Sequence, residues 1–96
     1  MKVVWSKVAE RRIDEIFDYI CDDDPQAALR VCEKIEARID ELSTHPHTGR
    51  IGRVSGTREL VFPGLPYIAV YELEAEEIRI LTIRHTSQQW PDSFAY

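Results

Sequence analysis

Three short apolar runs follow one another in the second half of the chain, and they limit the possible folds more than any other feature. Val, Ile and Tyr are frequent in them, and Pro, Gly and Glu occur in the turns between. Such runs predict strands of an antiparallel β-meander. We place the strands at about residues 57–62, 67–73 and 78–84. The last run ends at Arg84-His85, and Trp90 follows, which predicts a basic and aromatic surface at one end of the sheet.

Two amphipathic helices are predicted upstream of these strands. Ser6 is a suitable N-cap, and apolar residues then recur at helical spacing as far as Cys21. Asp24-Pro25 supplies the N-cap and first residue of a second helix, whose apolar face continues to Leu42. Because the link between the helices is short, we expect them to pack as an antiparallel hairpin over residues 7–44.

The order of these elements predicts an α+β fold. Residues 2–5 have strand-like sequence, so the predicted order is β-α-α-β-β-β. We expect the helical hairpin to pack on one face of a small antiparallel sheet. The strands carry apolar residues on both of their faces, which indicates that neither face of the sheet is fully exposed to solvent. Since the hairpin can cover only one face, we expect the other to be open for a partner chain.

A single domain is predicted for residues 1–96, because a chain of 96 residues can bury only one modest core. A long loop at 45–56 contains one Pro and three Gly, which predicts irregular structure. Loops of this length in so small a domain are more often functional than not. Residues 57–84 hold the three strands, and 85–96 form a C-terminal tail that we expect to fray from residue 92.

The net charge of −5 is distributed unevenly along the chain. Residues 10–44 carry eleven acids against five bases, whereas residues 45–58 carry three arginines and no acid. A protein that grips many phosphates is usually basic overall, because affinity grows with each phosphate that it neutralises. We therefore expect no sequence-specific DNA binding by this chain alone.

Targeting and cofactor signals are weak or absent in the sequence. No apolar run approaches the length of a membrane span, and no signal-peptide pattern opens the chain, so we expect a cytoplasmic protein without membrane contact. Cys21 and Cys32 lack metal-ligand spacing. His45 and His47, with His85 as a third ligand, are poor evidence for a metal site because no carboxylate or thiolate pattern accompanies them. We expect neither a metal nor a cofactor.

Several short motifs follow the helical hairpin in a fixed order. They are His45-Pro46-x-x-Gly49-Arg50, Gly56-x-Arg58-Glu59-Leu60, Pro66-Tyr67-Ile68-x-x-Tyr71, Ile80-Leu81-x-Ile83-x-His85 and Gln89-Trp90-Pro91. In this order and spacing, and over nearly the whole chain, they resemble the RelE/ParE superfamily of bacterial type II toxins. The resemblance implies a small toxin that a cognate antitoxin holds inactive in a hetero-oligomer.

The superfamily has two activities, and the residues favour one of them. The RelE-like branch cleaves mRNA on the ribosome without a metal, whereas the ParE-like branch inhibits DNA gyrase. The nuclease branch commonly has an arginine where this chain has Ile68, an arginine where it has Thr86, and a tyrosine where it has Trp90. Ile68 cannot clamp a phosphate, and an indole N–H can donate a hydrogen bond but cannot act as an acid or base. The chain is therefore more similar to the ParE-like branch.

The resemblance and the surface argument together give three sets of candidate residues. The candidates for contact with the target are Arg58, Arg84, His85, Gln88, Gln89 and Trp90. The residues that would serve a ribonuclease, with His85 suited to general base catalysis, are Arg58, Arg84 and His85. The candidates for antitoxin binding are Arg50, Arg53, Leu60, Phe62 and Tyr67. Gyrase inhibition is the first hypothesis, ribosome-dependent mRNA cleavage the second, and a non-toxic member that still binds an antitoxin the third.

Overall fold

A computed structural model describes residues 1–88, 90 and 91 of the chain. Its elements, in chain order, are β1 (Lys2–Trp5), α1 (Lys7–Cys21), α2 (Pro25–Asp40), a 3-10 turn (Glu41–Ser43), β2 (Arg50–Ile51), β3 (Arg58–Val61), β4 (Tyr67–Leu73) and β5 (Glu77–His85). The predicted helical hairpin and three-strand meander are confirmed. The predicted target contact at Gln89 and the predicted fraying of residues 92–96 lie outside the described residues.

Both predicted helix N-caps are confirmed. The Ser6 hydroxyl accepts a hydrogen bond from the amide of Ala9 at 3.0 Å and donates one to the carbonyl of Leu81 at 2.8 Å. One side chain thus caps α1 and ties the start of this helix to β5. The Asp24 carboxylate accepts from the amides of Gln26 and Ala27, both at 3.1 Å, and Pro25 follows as the first residue of α2.

The sheet has five strands in the order β1-β5-β4-β3-β2, and it is mixed. Strand β1 runs parallel to β5, with Val3 opposite Ile78, while all other pairs are antiparallel. The prediction of an antiparallel sheet is therefore wrong for β1. The apolar pattern of a strand indicates which faces are buried, but it does not show whether the strand runs parallel or antiparallel to its neighbour. The helical hairpin supplies the long connection that parallel pairing needs.

Strand β2 corrects a second expectation. The loop at 45–56 is not wholly irregular, because Arg50 and Ile51 pair with Glu59 and Arg58 of β3. A strand of two residues has no periodicity that the sequence could show. The pairing extends past β2, since the amide of Gly52 donates to the carbonyl of Thr57 at 2.8 Å.

The helices pack on one face of the sheet and form a single core with it. This core includes Ile35 and Ile39 of α2, Tyr71 of β4, and Ile80 and Ile83 of β5. Ile80 and Ile83 reach the same face because the pairing of β4 with β5 shifts between Val70 and Tyr71. Such a bulge adds one residue to a strand and changes the face of the residues that follow.

The opposite side of the sheet, called the far face below, carries Ile68, Val70 and Thr82. These residues are 5%, 0% and 3% exposed. The expectation of an open second face is therefore wrong for this part of the sheet. The register places Glu59 opposite Val70 and Arg84 opposite Ile68, so both charged residues also belong to the far face.

No helix among the described residues is long and apolar enough to cross a membrane.

Candidate interaction surfaces

A stack of charged and aromatic side chains lies on the far face. The guanidinium carbon of Arg53 lies 3.8 Å from the centroid of the Trp90 ring, and that of Arg84 lies 5.6 Å from it. Both distances are within the range of cation–π contacts. Arg84 and Trp90, both predicted target contacts, are thus brought together, and Arg53, a predicted antitoxin contact, joins them.

Glu59 anchors this stack to the sheet. Its carboxylate, only 2% exposed, accepts from the Arg53 amide at 2.8 Å, from Arg53 Nε at 3.2 Å and from Arg50 Nη2 at 3.0 Å. Burial alone would raise the pKa of Glu59, but hydrogen bonds from the Arg53 amide, the Arg53 guanidinium and Arg50 outweigh it and lower this pKa below its ordinary value. Glu59 is therefore ionised at neutral pH.

Arg84 lies in a less favourable electrostatic position. Burial lowers the pKa of its guanidinium, and the nearby positive charge of Arg12 on α1 lowers it further. An arginine remains charged despite such a shift, because its ordinary pKa is so high. Arg84 therefore keeps its positive charge at the end of β5, in a chain whose net charge is −5.

A cleft of 420 Å³ opens on the helix side of the sheet, between α1 and the ends of β4 and β5. Arg12, Glu15 and Tyr19 line it from α1, and Tyr67 and His85 line it from the sheet. The rings of Tyr67 and His85 pack edge to face with their centroids 5.5 Å apart. Tyr19 is 77% exposed at its mouth.

His85 is held by the turn that follows β5. Its Nδ1 accepts a hydrogen bond from the amide of Ser87 at 3.1 Å, and its own amide donates to Gln88 Oε1 at 2.8 Å. Because a backbone amide is always a donor, Nδ1 carries no proton, and the neutral ring holds its proton on Nε2. The ring nitrogen that faces away from the turn is therefore a donor, whereas a general base needs an acceptor there.

The three residues of the ribonuclease hypothesis do not lie together. Arg84 and His85 are consecutive in β5 and point to opposite faces of the sheet. Arg58 pairs with Tyr71, and His85 pairs with Tyr67. These partners are four residues apart on β4, which corresponds to about 13 Å. The Arg58 guanidinium donates to the carbonyl of Gly49 at 2.7 Å.

The predicted antitoxin contacts divide into two groups. Arg50 and Arg53 are about half exposed and share the Glu59 carboxylate. Leu60 and Phe62 are buried in the core beneath the helices, at 1% and 2% exposure, and Tyr67 is buried at the floor of the cleft. As the chain stands, a partner would reach Tyr67 through the cleft but would not reach the side chains of Leu60 and Phe62.

Metal ligands do not gather in the described part of the chain, since no group of three or more His, Cys, Asp or Glu side chains there could hold an ion.

Sequence reasoning missed two features of these surfaces. Glu59 was treated as part of a motif, although a lone acid in an apolar strand, after a loop with two arginines and no acid, could have suggested a buried ion pair. Tyr19 and Arg12 received no predicted role, because helical periodicity does not show which part of the polar side of α1 adjoins the end of a strand.

Comparison with known proteins agrees with this fold. The family model described as the ParE toxin of the type II toxin–antitoxin system parDE matches residues 3–90. The chain is 46% identical over 90 residues to Y4kP of Sinorhizobium fredii, covering 94% of this chain and 93% of that protein. It is 30% identical over 87 residues to the toxin RelE2 of Caulobacter vibrioides, covering 91% and 97%.

A solved structure described as the chromosomal ParDE TA system from P. aeruginosa has the same fold. It superposes with a TM-score of 0.81 at 27% sequence identity, over 88% of this chain and 95% of that one. The α+β architecture, with two helices on a five-stranded mixed sheet, is thus that of a ParDE toxin. On the match over residues 3–90, the chain belongs to the ParE toxin family of type II toxin–antitoxin systems.

Proposed function

We propose that this toxin inhibits DNA gyrase and that binding of its cognate antitoxin prevents this. Membership of a type II toxin family implies an antitoxin partner. The more specific part of the proposal is that gyrase is the target, and this part rests on the geometry of His85. Gyrase acts on DNA in the bacterial cytoplasm, in agreement with the expected localisation.

His85 lacks what a metal-independent ribonuclease requires of its general base. Such an enzyme needs a group that takes the proton of the ribose 2′-hydroxyl and a donor for the leaving oxygen. His85 offers a donor on Nε2, and the Ser87 amide occupies its other ring nitrogen. Trp90 can only donate. Neither residue can accept the proton as the chain stands, so binding to a target without chemistry explains the surface better.

The dispersion of the cationic residues supports the same conclusion. Arg58 lies at the other end of β4 from His85, and Arg84 lies on the other sheet face. A nuclease gains rate by holding its groups around one reacting phosphate. A binding protein has no such requirement, since its contacts can spread over a broad surface.

A second candidate is mRNA cleavage on the ribosome, as in the RelE-like branch. The relatives named RelE2 and RelE1 of Caulobacter vibrioides, at 30% and 27% identity, favour it. A third candidate is a member that binds its antitoxin without being toxic.

For the antitoxin, we propose that it binds the cleft on the helix side through Tyr67. The cleft is lined by aromatic side chains, which are frequent at the centres of protein interfaces. Leu60 and Phe62 would support this surface from within the core.

The test is a supercoiling assay with purified gyrase and toxin, scored for loss of supercoiling and for trapped cleaved DNA. We expect both, and we expect a molar equivalent of antitoxin to abolish both. The matched control is the preformed toxin–antitoxin complex. Unaffected gyrase, together with cleavage of ribosome-bound mRNA, would reject the proposal in favour of the second candidate. Failure in both assays would favour the third.

A further inference from the structure

We propose that Glu59 and Arg53 are positioning residues that hold the Trp90 indole on the far face as a contact of this toxin with its target. The inference rests on the proposed function in one respect, namely that the toxin meets a target through this face. It assigns Arg53 to the target surface, whereas the sequence suggested an antitoxin contact.

The first step is the rigid attachment of Arg53 to the sheet. Glu59 is fixed in β3, and its carboxylate receives three donors from Arg53: the amide at 2.8 Å, Nε at 3.2 Å and Nη2 at 3.3 Å. Two donors of one planar guanidinium on one carboxylate define the plane of the group as well as its position. Arg53 therefore presents an oriented flat surface.

The second step is the attachment of Trp90 to that surface. Trp90 lies beyond β5 and belongs to no helix or strand, so backbone pairing does not fix its position. Its ring lies 3.8 Å from the Arg53 guanidinium carbon and 5.6 Å from that of Arg84. A platform that is ordered beforehand binds more tightly than a mobile one, because the entropy of ordering it has already been lost.

The third step distinguishes a contact surface from a simple tail anchor. The side chain of Arg53 is 48% exposed and that of Arg50 is 55% exposed, while Trp90 is only half-buried. Two cations and part of Trp90, whose Nε1 is buried, thus face solvent together on a chain of net charge −5. Trp and Arg are the residue types most enriched among those that dominate binding energy at interfaces.

The experiment uses the full chain with Trp5 replaced by Phe, so that Trp90 is the sole tryptophan. In this background Arg53→Leu and Arg53→Lys are compared with Arg50→Leu, the matched control, because Arg50 pairs with the same carboxylate from β2. Acrylamide quenching of Trp90 emission measures its attachment in the free toxin. Growth arrest after induction measures contact with any target, and antitoxin binding reports that the fold is intact.

We expect Arg53→Leu to raise the population of detached Trp90 about two- to fivefold, as loss of a half-exposed cation–π contact implies, and to weaken growth arrest. Arg53→Lys should retain part of the Trp90 attachment and part of the growth arrest, and Arg50→Leu should leave quenching unchanged. Glu59→Gln, where it folds, should follow Arg53→Leu.

Equal quenching in Arg53→Leu and its parent would overturn the proposal. So would a detached Trp90 with undiminished growth arrest, since the indole would then have no role at the target. A parent that arrests growth while gyrase remains active would reject the proposed gyrase target, yet the comparison of variants would still decide the role of Arg53. A parent that does not arrest growth would reject both the gyrase target and the role of Arg53 and Trp90 at a target.

Discussion

The Tyr71 hydroxyl accepts a hydrogen bond from the amide of Gly49 at 2.9 Å and donates one to the carbonyl of Pro46 at 2.8 Å. One fully buried side chain of the central sheet thus satisfies both backbone groups of the turn that follows the helical hairpin. The turn is compact because Gly49 lies directly on the Tyr71 ring. A Cβ at Gly49 would come within 2.6 Å of the ring carbon Cε1.

The first prediction concerns this contact. Tyr71→Phe should destabilise the fold by about 1–3 kcal/mol, because it leaves a buried amide without its acceptor. Gly49→Ala should cost about 1–3 kcal/mol through overpacking against the ring. Urea unfolding followed by circular dichroism measures both. Tyr19→Phe, which removes an exposed hydroxyl, is the control and should change stability by less than about 0.5 kcal/mol. Equal midpoints for Tyr71→Phe and the parent would contradict this account.

The second prediction concerns the pH dependence of stability. The pKa of Glu59 is lowered in the folded chain from its ordinary value of 4.5, so the ionised form stabilises the fold. This stabilisation should be fully present above the ordinary value and should be lost as the pH falls through the lowered one. Glu59→Gln should remove this pH-dependent component and cost about 1–3 kcal/mol at pH 7.

Urea midpoints between pH 7 and pH 3 measure the Glu59 contribution. Glu15→Gln is the control, because Glu15 forms an exposed ion pair with Arg12 on the surface of α1. The parent and Glu15→Gln should lose stability in parallel on acidification, whereas Glu59→Gln should show a shallower loss. Parallel curves for all three proteins would show that Glu59 does not stabilise the fold through its charge.

The third prediction separates binding from chemistry at His85. His85→Gln should leave growth arrest and gyrase inhibition unchanged, because the neutral ring offers only a donor on Nε2 and a glutamine amide can also donate. Growth arrest after induction and the supercoiling assay are the measurements. Loss of toxicity with intact antitoxin binding would instead indicate proton transfer by His85 and support the ribonuclease.

The fourth prediction concerns the antitoxin surface on the helix side. Tyr19→Ala should weaken antitoxin binding about tenfold, because Tyr19 stands exposed at the mouth of the Tyr67–His85 cleft and large aromatic side chains dominate interfaces. Titration calorimetry measures the affinity. Ile51→Ala is the control, since Ile51 is equally exposed at 74% but lies in the edge strand β2. Similar affinities for both variants would place the antitoxin elsewhere.

The sequence alone determined the two helices, four of the five strands and their order. Ser6 and Asp24 are caps because their short side chains accept the orphan amides of the first helical turn, a local interaction that is visible in the sequence. The strand positions were also predictable, because β-branched and aromatic runs between turn residues depend on local preferences. The position of Arg84 and Trp90 at one end of the sheet follows from the end of the last strand.

Tertiary structure decided how these elements meet. The parallel pairing of β1 with β5 depends on the path of the chain through two helices, which no local pattern records. The register shift between Val70 and Tyr71 sets which face each later residue of β5 occupies, so that Ile80 and Ile83 share the core face and Arg84 lies on the far face. The carboxylate of Glu59 joins Arg50 and Arg53 only because β2 and its loop fold back over β3. Contacts between residues distant in sequence arise from packing and pairing of whole elements, so the surfaces of this toxin could be located only in the folded chain.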